Sequence, residues 1–192
     1  MILRSDAIVQ RLHAPASERL MIVPLQQPED QLARSLSGAV DLRLGCWFLT
    51  FRREGVPHLD YSDPSAQPAD LKVAKRVYVP IGGRFVLHPR SFVLGVTMEW
   101  IRLPGDLVGS VVGKSSWGRR GLIIATATGV HPWFCGCLTL ELANVGELPI
   151  SISPNAEICQ LFLSRAETAG DGAAPPSRFA GRRQPVVGGR SK

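Results

Sequence analysis

Apolar and polar side chains alternate strictly in two short stretches of the chain. In residues 39–45 every second position is apolar, and Asp41 and Arg43 lie between the apolar positions. In residues 137–142 three leucines alternate with a cysteine, a threonine and Glu141. Because successive side chains of a strand point to opposite faces, both stretches are predicted to be strands with one buried face.

Short strand-like segments recur along the chain at a spacing of roughly ten residues. Helical patterns are limited to residues 5–12, with Ser5 or Asp6 as the predicted N-terminal cap, and to residues 30–37. The 19 glycines and 15 prolines favour tight turns over a helical bundle. The predicted fold is therefore mainly β, a distorted β-barrel or sandwich with a few short helices. Further strands are predicted at residues 47–51, 75–80, 84–87, 92–97, 100–103, 122–127, 150–153 and 158–163, and a loop at residues 54–72.

Composition narrows the class of protein. A chain of 192 residues is predicted to form one domain with a real core. It contains no apolar run of about 18 residues and no signal-peptide pattern at its N-terminus, so we expect a cytoplasmic protein without a membrane span. Its 4 cysteines do not form a disulfide framework, and the C-x-C spacing of Cys135 and Cys137 is not that of a structural zinc site.

Residues 113–121, G-K-S-S-W-G-R-R-G, combine glycines, hydroxyls and cations. The segment that begins at Gly109 is a near miss for a phosphate-binding P-loop, because three residues separate its glycines where that motif needs four. Residues 115–118 are also poor helix-forming material, so no helix is predicted after the loop. Exposed amides and cations would still form an anion-binding concavity. A basic surface turn is the alternative.

Glu141 is the carboxylate that follows this loop. On the polar side of a strand, it is either a base within reach of a water molecule or an exposed carboxylate in a salt bridge. The basic loop 20 residues earlier would supply its electrostatic partner. His131 is a possible base or ligand, although a packed turn residue is the safer interpretation.

The C-terminal segment is basic and rich in glycine and proline. From residue 164 onward there are six cations against Glu167 and Asp171. Such a tail either binds nucleic acid or folds over a polyphosphate ligand. We therefore divide the chain into a β domain, residues 1–165, and a flexible arm, residues 166–192.

Several motifs together resemble the dCTP deaminase family over about residues 1–165. They are V-D-L-R-L-G at 40–45, L-H-P at 87–89, L-P-G-D-L-V-G at 103–109, G-K-S-S-W-G-R at 113–119, G-C-L-T-L-E-L-A-N-V-G at 136–146 and I-C-Q-L at 158–161. The resemblance implies the distorted β fold and homotrimeric assembly that this family shares with trimeric dUTPases. It also implies hydrolysis of dCTP to dUTP and ammonia.

The resemblance implies a mechanism without catalytic zinc. Zinc deaminases carry H-x-E and P-C-x-x-C motifs, and none of the four histidines of this chain is followed by that glutamate. In the family, the glutamate that matches Glu141 activates a water for attack on cytosine C4, and a backbone carbonyl within residues 125–129 helps to hold the water. Mg²⁺ would be bound through the triphosphate.

The resemblance also assigns site residues. Glu141, Ser115 and Arg119 match the catalytic residues, and Lys114, Ser115 and Ser116 match the triphosphate loop. The full set of expected nucleotide contacts is Lys114, Ser115, Ser116, Trp117, Gly118, Arg119, His131, Thr139, Leu140, Glu141, Arg178 and Arg182.

Three departures from the family pattern keep alternatives open. Lys114 replaces the usual arginine, and His131 replaces the aspartate that activates water in dUTPases and bifunctional enzymes. The closing motif of the arm is only weakly matched around Arg182, where Gln184 is a substitute for the family glutamine. A dUTP pyrophosphatase or bifunctional enzyme, a non-catalytic nucleotide-binding relative and, more weakly, a nucleic-acid-binding protein are the alternatives. The choice among dCTP, dCMP and a modified cytosine nucleotide is also open, as is inhibition by dTTP.

Overall fold

The computed structural model describes residues 1–52, 74–124, 129–167 and 181–186. Short strands dominate these residues, and helices are few. The helices are α1 (Ser5–Leu12), α2 (Glu29–Ser35) and α3 (Ser115–Gly118). The strands are β1 (Met21–Val23), β2 (Ala39–Arg43), β3 (Trp47–Phe51), β4 (Ala74–Tyr78), β5 (Phe85–Leu87), β6 (Phe92–Arg102), β7 (Leu107–Gly113), β8 (Leu122–Ile124), β9 (Gly129–Val130), β10 (Cys135–Asn144), β11 (Ile150–Ile152) and β12 (Glu157–Arg165).

The strands form three sheets. The largest has the order β4-β3-β6-β10-β8, with β1 also paired to β6. A second sheet has the order β2-β12-β7-β9, and β11 pairs with β5 in a third. The pairs within the sheets are antiparallel. Within the described residues these sheets do not close into a barrel, so the sandwich form of the predicted mainly β fold is confirmed.

The hydrophobic core lies between the two larger sheets. Strand β10 shows how the sequence produces it, because every second residue from Gly136 to Asn144 is buried and the others are half-buried. Leu140 and Leu142 are fully buried beside Leu42 and Leu161 of the second sheet in one core cluster. Burial of a leucine side chain contributes about 1.5–3 kcal/mol. The alternation therefore fixes which face of β10 points inward and leaves Glu141 on the other face.

A buried ion pair connects β2 to β6. Glu99 is fully buried, and its Oε1 accepts a hydrogen bond of 2.6 Å from Nε of Arg43. Its Oε2 accepts the backbone N–H of Arg43 at 2.9 Å. The guanidinium also donates to Asn155 Oδ1 at 3.0 Å. Because both carboxylate oxygens are bonded, the desolvation of Glu99 is offset and the two sheets keep one relative position.

Three local predictions need correction. Helix α1 is capped by Arg4 without a side-chain hydrogen bond, not by Ser5 or Asp6. Residues 92–97 and 100–103 belong to one strand, β6, because the strand is buried on both faces over most of its length and shows little alternation. A short helix, α3, follows the loop where none was predicted.

The predicted strand at 122–127 is observed as β8 up to Ile124, and its remainder lies outside the described residues, as does the predicted loop at 54–72. The division of the chain at residue 165 stays a prediction.

Candidate active site

The basic loop begins where β7 ends. Lys114 has an extended backbone and precedes α3, whose turn is closed by the N–H groups of Trp117 and Gly118 donating to the Lys114 carbonyl at 3.0 and 3.3 Å. The side chains of Ser115, Ser116 and Arg119 are exposed. The loop therefore presents two hydroxyls and a guanidinium to solvent.

Gly121 ends the loop and fixes its exit. Its φ is +91°, and a Cβ at this position would lie 2.9 Å from the backbone nitrogen of Gly146. The N–H of Val145 donates to the Gly121 carbonyl at 2.9 Å. Only glycine meets both the positive φ and the close approach. The end of the loop is thereby attached to the turn that follows β10, the strand of Glu141.

The side chain of Lys114 does not point freely to solvent. Its ammonium donates to Asp41 Oδ2 of β2 at 3.0 Å and to Glu157 Oε2 of β12. The remaining oxygens of these carboxylates accept the amides of Gln160, at 2.8 Å, and Gln26. A continuous chain of five polar side chains thus crosses the end of the second sheet.

The opposite charges in this series of hydrogen-bonded side chains stabilise one another. Burial by itself lowers the pKa of the Lys114 ammonium, but the hydrogen bonds to Glu157 and Asp41 outweigh it, and the net pKa is raised. The hydrogen bond from Lys114, followed by that from Gln26, lowers the pKa of Glu157. Lys114 and Glu157 are therefore both charged at neutral pH, and Asp41 is the second carboxylate that accepts from the ammonium.

Trp117 connects α3 to the same strand end. Its indole Nε1–H donates to the Glu157 backbone carbonyl at 2.8 Å, and its ring packs against the core. The side chain of Trp117 is half-buried. Within the described residues it acts as an anchor for the turn, while Gly118 is exposed with open space around it.

Glu141 has very different surroundings. It lies directly opposite Leu94 of β6, which lies opposite Leu49 of β3, so the three side chains share one face of the largest sheet. Both leucines are buried, whereas Glu141 is half-buried. In the part of the chain that the structure describes, the side chain of Glu141 has no hydrogen bond or ion pair. The electrostatic partner expected from the basic loop is thus not found within one chain.

The face that carries Glu141 also carries aromatic side chains. Phe51 and Phe92 are stacked at 5.8 Å between ring centroids, and Trp47 and Tyr78 lie 5.0 Å apart. Tyr78 and Phe92 are about half exposed, at 56% and 46%. Ile123 of β8, on the same face by register, is 44% exposed. This face is therefore an apolar surface with a carboxylate set into it.

The turn before β10 contains His131, which is exposed. Trp133 in this turn has φ +65°, a backbone conformation that bulky residues rarely adopt. A Cβ on Gly105 would lie 2.2 Å from the Trp133 ring, so the ring occupies the space that this glycine leaves open. The Phe134 N–H donates to the His131 carbonyl at 3.2 Å. The turn is thus fixed by packing of Trp133.

Of the predicted C-terminal arm, the structure describes residues 166–167 and 181–186, so Arg178 lies outside the described residues. Gly181 N–H donates to the Cys135 carbonyl and Cys137 N–H donates to the Arg182 carbonyl, both at 2.8 Å. The guanidinium carbon of Arg183 lies 5.3 Å from the centroid of Trp100. The described part of the arm is therefore hydrogen-bonded along the edge of β10 near the start of this strand. The same strand carries Thr139, Leu140 and Glu141.

Sequence reasoning missed the partners that hold the loop. Glu157, Gln26 and Gln160 are not predicted as partners from the sequence, because Glu157 lies 43 positions from Lys114 and local patterns do not connect residues so far apart. Leu140, predicted as a nucleotide contact, is fully buried and can offer only its backbone. Thr139 is half-buried on the strand face that also presents Glu141.

The thiols and possible metal ligands can be placed as well. Cys46, Cys135, Cys137 and Cys159 are free thiols. Burial raises the pKa of Cys137 to about 11 and that of Cys159 to about 12, so both are protonated at neutral pH. Over residues 1–52, 74–124, 129–167 and 181–186, His, Cys, Asp and Glu side chains form no group of three that could hold a metal ion. None of the described helices has both the length and the apolar content needed to cross a membrane.

A comparison with solved structures defines the class of fold. The chain is similar to the crystal structure of 2'-deoxycytidine 5'-triphosphate deaminase from Agrobacterium tumefaciens, with a TM-score of 0.58 and 22% sequence identity. The match covers 84% of this chain and 46% of that chain. At this identity the likeness concerns the fold alone.

Sequence comparisons define the family. The family model described as dCTP deaminase-like matches residues 2–166. The chain is 42% identical to the dUMP-forming dCTP deaminase of Dictyoglomus thermophilum, over 78% of this chain and 76% of that protein. It is 35% identical to the dCTP deaminase of Haloarcula marismortui, over 96% of this chain and 92% of that protein. The chain belongs to the dCTP deaminase-like family, and the prediction of an enzyme of this family is confirmed.

Proposed function

We propose that this protein hydrolyses dCTP to dUTP and ammonia and that Glu141 activates the attacking water. The relatives named as dCTP deaminases support the substrate. The observation that carries the assignment of Glu141 is its place in a buried strand without a partner in the described residues. A carboxylate in such surroundings is available to bind water.

The proposed reaction is a hydrolytic substitution at C4 of the cytosine. Glu141 takes a proton from water, the water oxygen forms a bond to C4, and the C4–nitrogen bond breaks as ammonia leaves. The carboxyl group gives this proton to N3, then takes the remaining water proton from the new C4 hydroxyl and transfers it to the leaving nitrogen. A general base of this kind contributes about 10²- to 10⁴-fold to the rate. Zinc has no part in this proposal.

The triphosphate is proposed to bind at the basic loop. Ser115, Ser116 and Arg119 are exposed there and supply hydroxyl donors and a guanidinium. Mg²⁺ commonly binds through substrate phosphates and few protein carboxylates. The two carboxylates beside the loop, Asp41 and Glu157, are already bonded to Lys114, which fits a Mg²⁺ ion carried by the nucleotide.

We also propose that the active protein is a homotrimer and that the arm closes over the nucleotide. The exposed aromatic face around Glu141 supports burial against other copies, and the separation of Glu141 from the loop within one chain supports a site completed by assembly. The docking of residues 181–186 on β10 supports an arm close to the site. Sedimentation at about three times the chain mass of 20.8 kDa would support the trimer. We expect the enzyme in the cytoplasm.

The decisive experiment is an assay of dCTP with Mg²⁺ that measures uracil nucleotides by chromatography and ammonia by a coupled reaction. The parent protein should form both in equal amounts. Glu141→Gln should lose about 10²- to 10⁴-fold in kcat. Glu147→Gln, a change at an exposed turn glutamate, is the matched control and should retain full activity. Unchanged activity in Glu141→Gln would disprove the assigned role.

A second candidate is the formation of dUMP and pyrophosphate. The name of the Dictyoglomus relative, a dUMP-forming dCTP deaminase, favours it, whereas His131 at the expected aspartate position opposes it. The same assay separates the two outcomes, because dUTP and dUMP elute separately and only the second route releases pyrophosphate. If dUMP accumulates from dCTP, the dUTP-forming proposal is wrong and His131 does not prevent hydrolysis of the phosphate chain.

A further inference from the structure

We propose that Lys114 is a positioning residue, whose ammonium holds the α3 turn and Arg119 in place rather than binding the triphosphate. This inference rests on the proposed function, because it assigns a role within the same nucleotide site. It also replaces the phosphate contact that the sequence predicts for this lysine.

The geometry leaves Lys114 little freedom to bind a ligand. An ammonium has three donors, and Asp41 and Glu157 accept two of them from different strands. Both carboxylates are also fixed on their other oxygens by Gln160 and Gln26. The ammonium therefore lies at the centre of a hydrogen-bonded chain, and its side chain is only 23% exposed.

The charges of the neighbouring carboxylates also oppose a movement of the Lys114 ammonium towards phosphate. If the ammonium left this position, Asp41 and Glu157 would keep two uncompensated negative charges at the end of the sheet. A triphosphate at the loop would add several more negative charges nearby. Like charges at short range repel strongly where water is partly excluded. If Lys114 moved to contact phosphate, the two carboxylates that it left behind would repel the triphosphate. The contact would therefore add repulsion at a place where the lysine is expected to reduce it.

The contacts around Lys114 explain what it positions. Its own N–H donates to the Ile158 carbonyl at 3.0 Å, and the Trp117 indole donates to the Glu157 carbonyl at 2.8 Å. Lys114, directly before α3, and Trp117, within α3, are therefore both hydrogen-bonded to the start of β12. Arg119 follows directly, and its N–H donates to the Ser115 carbonyl at 3.0 Å. The direction in which Arg119 leaves the turn depends on these attachments.

Glu157→Gln separates positioning from charge attraction, because the two roles predict opposite changes in the affinity for dUTP. If charge alone matters, removal of a carboxylate beside the loop tightens binding of a polyanion. If positioning matters, the lost ion pair loosens the turn and weakens binding. We expect the dissociation constant of dUTP, measured by calorimetry with Mg²⁺, to rise about five- to tenfold in Glu157→Gln and in Lys114→Met, the cost of one misplaced charge-assisted hydrogen bond.

The double variant and two controls complete the design. Because both changes break the same ion pair, the double variant should bind dUTP no more than about twofold more weakly than either single variant. Lys75→Met makes the same substitution at an exposed lysine of β4 and should leave binding unchanged. Arg119→Gln removes a proposed phosphate contact. Because Glu157→Gln is expected to act through the position of Arg119, it should weaken dUTP binding less in the Arg119→Gln background than in the parent.

Two results would overturn the inference. Tighter or unchanged dUTP binding in Glu157→Gln, together with weaker binding in Lys114→Met, would assign Lys114 to the phosphates. Lower stability of both variants with an unchanged dissociation constant would leave Lys114 a purely structural role. Failure of the proposed function would be distinguishable, because it would be seen in the parent, which would neither convert dCTP nor bind dUTP.

Discussion

Glu157 and Glu141 are both half-buried carboxylates on strands, yet they differ in their partners. Glu157 accepts hydrogen bonds from Lys114 and Gln26, and these bonds lower its pKa. The side chain of Glu141 has neither a hydrogen bond nor an ion pair with any residue in the described ranges. Within the described residues, the carboxylate that stabilises the fold is thus bonded on both oxygens, and the one that the proposed reaction needs has no side-chain partner.

This difference in partners distinguishes a carboxylate that stabilises the fold from one that is available for the proposed reaction. Both oxygens of Glu157 accept hydrogen bonds from protein side chains, which favours its ionised form and makes it less available to a substrate or water. A half-buried carboxylate without a protein partner contributes little to stability and is more often found at functional sites. The comparison can be tested through the free energy of unfolding, where paired charges should matter most and Glu141 least.

The largest effect on unfolding should come from the fully buried pair. Arg43→Met leaves Glu99 buried without its cation, and we expect a loss of about 3–5 kcal/mol, measured by denaturant titration. Arg34→Met at an exposed i,i+4 pair, 3.5 Å from Asp30, is the control and should cost less than about 0.5 kcal/mol. Similar losses in both variants would contradict the importance of burial.

The sequence predicts the strands better than these partnerships. Alternation in β2 and β10 comes from one face meeting the core, so it is visible in a short window. Arg43 and Glu99 are separated by 56 positions, and Lys114 lies 73 positions from Asp41 and 43 from Glu157. Local patterns carry no information on such pairs, which are fixed only when distant strands pack. Strand β6 was divided for a related reason, because burial on both faces removes the alternation.

The candidate active site shows the same limit of sequence reasoning: its parts could be predicted, but the contacts between them could not. The loop and Glu141 were both singled out from residue types and family motifs, and the structure gives each a defined place. The expected contact between them is not formed within the described residues, because Lys114 is bonded to Asp41 and Glu157 of the second sheet, whereas Glu141 lies on the largest sheet. The turn around Trp133 was also unpredictable, because a tryptophan at positive φ depends on the space above Gly105.

The Glu141 side chain has no partner among the described residues, and this matters only if the strand that carries it is held rigidly. Gly105→Ala tests the turn that leads into this strand, β10. The new Cβ would overlap the ring of Trp133, so we expect a loss of about 1–3 kcal/mol in the free energy of unfolding. In a Trp133→Gly background the same alanine has space, and the extra cost should fall below about 0.5 kcal/mol. An equal cost in both backgrounds would show that the ring does not fix the turn.

A smaller effect should be seen in the pH dependence of stability. Because the folded-state pKa of Glu157 is lowered, its ion pair stabilises the fold above the unfolded value of about 4.3 and loses this effect as pH falls through the folded pKa. Glu157 is 38% exposed, so screening limits the contribution to about 0.5–1 kcal/mol. Glu157→Gln should lower Tm by more at pH 7 than at pH 3. A Tm difference that is independent of pH would contradict the ion pair.

The smallest effect on unfolding should come from Glu141 itself. Since Glu141→Gln breaks no hydrogen bond or ion pair within the described residues, we expect its free energy of unfolding to change by less than about 0.5 kcal/mol. Glu141→Leu would place an apolar side chain beside buried Leu94, and it should leave stability unchanged or raise it. Both variants should lose deamination of dCTP. A stability loss near that of Arg43→Met would show that Glu141 is a structural charge, and the contrast with Glu157 would then be wrong.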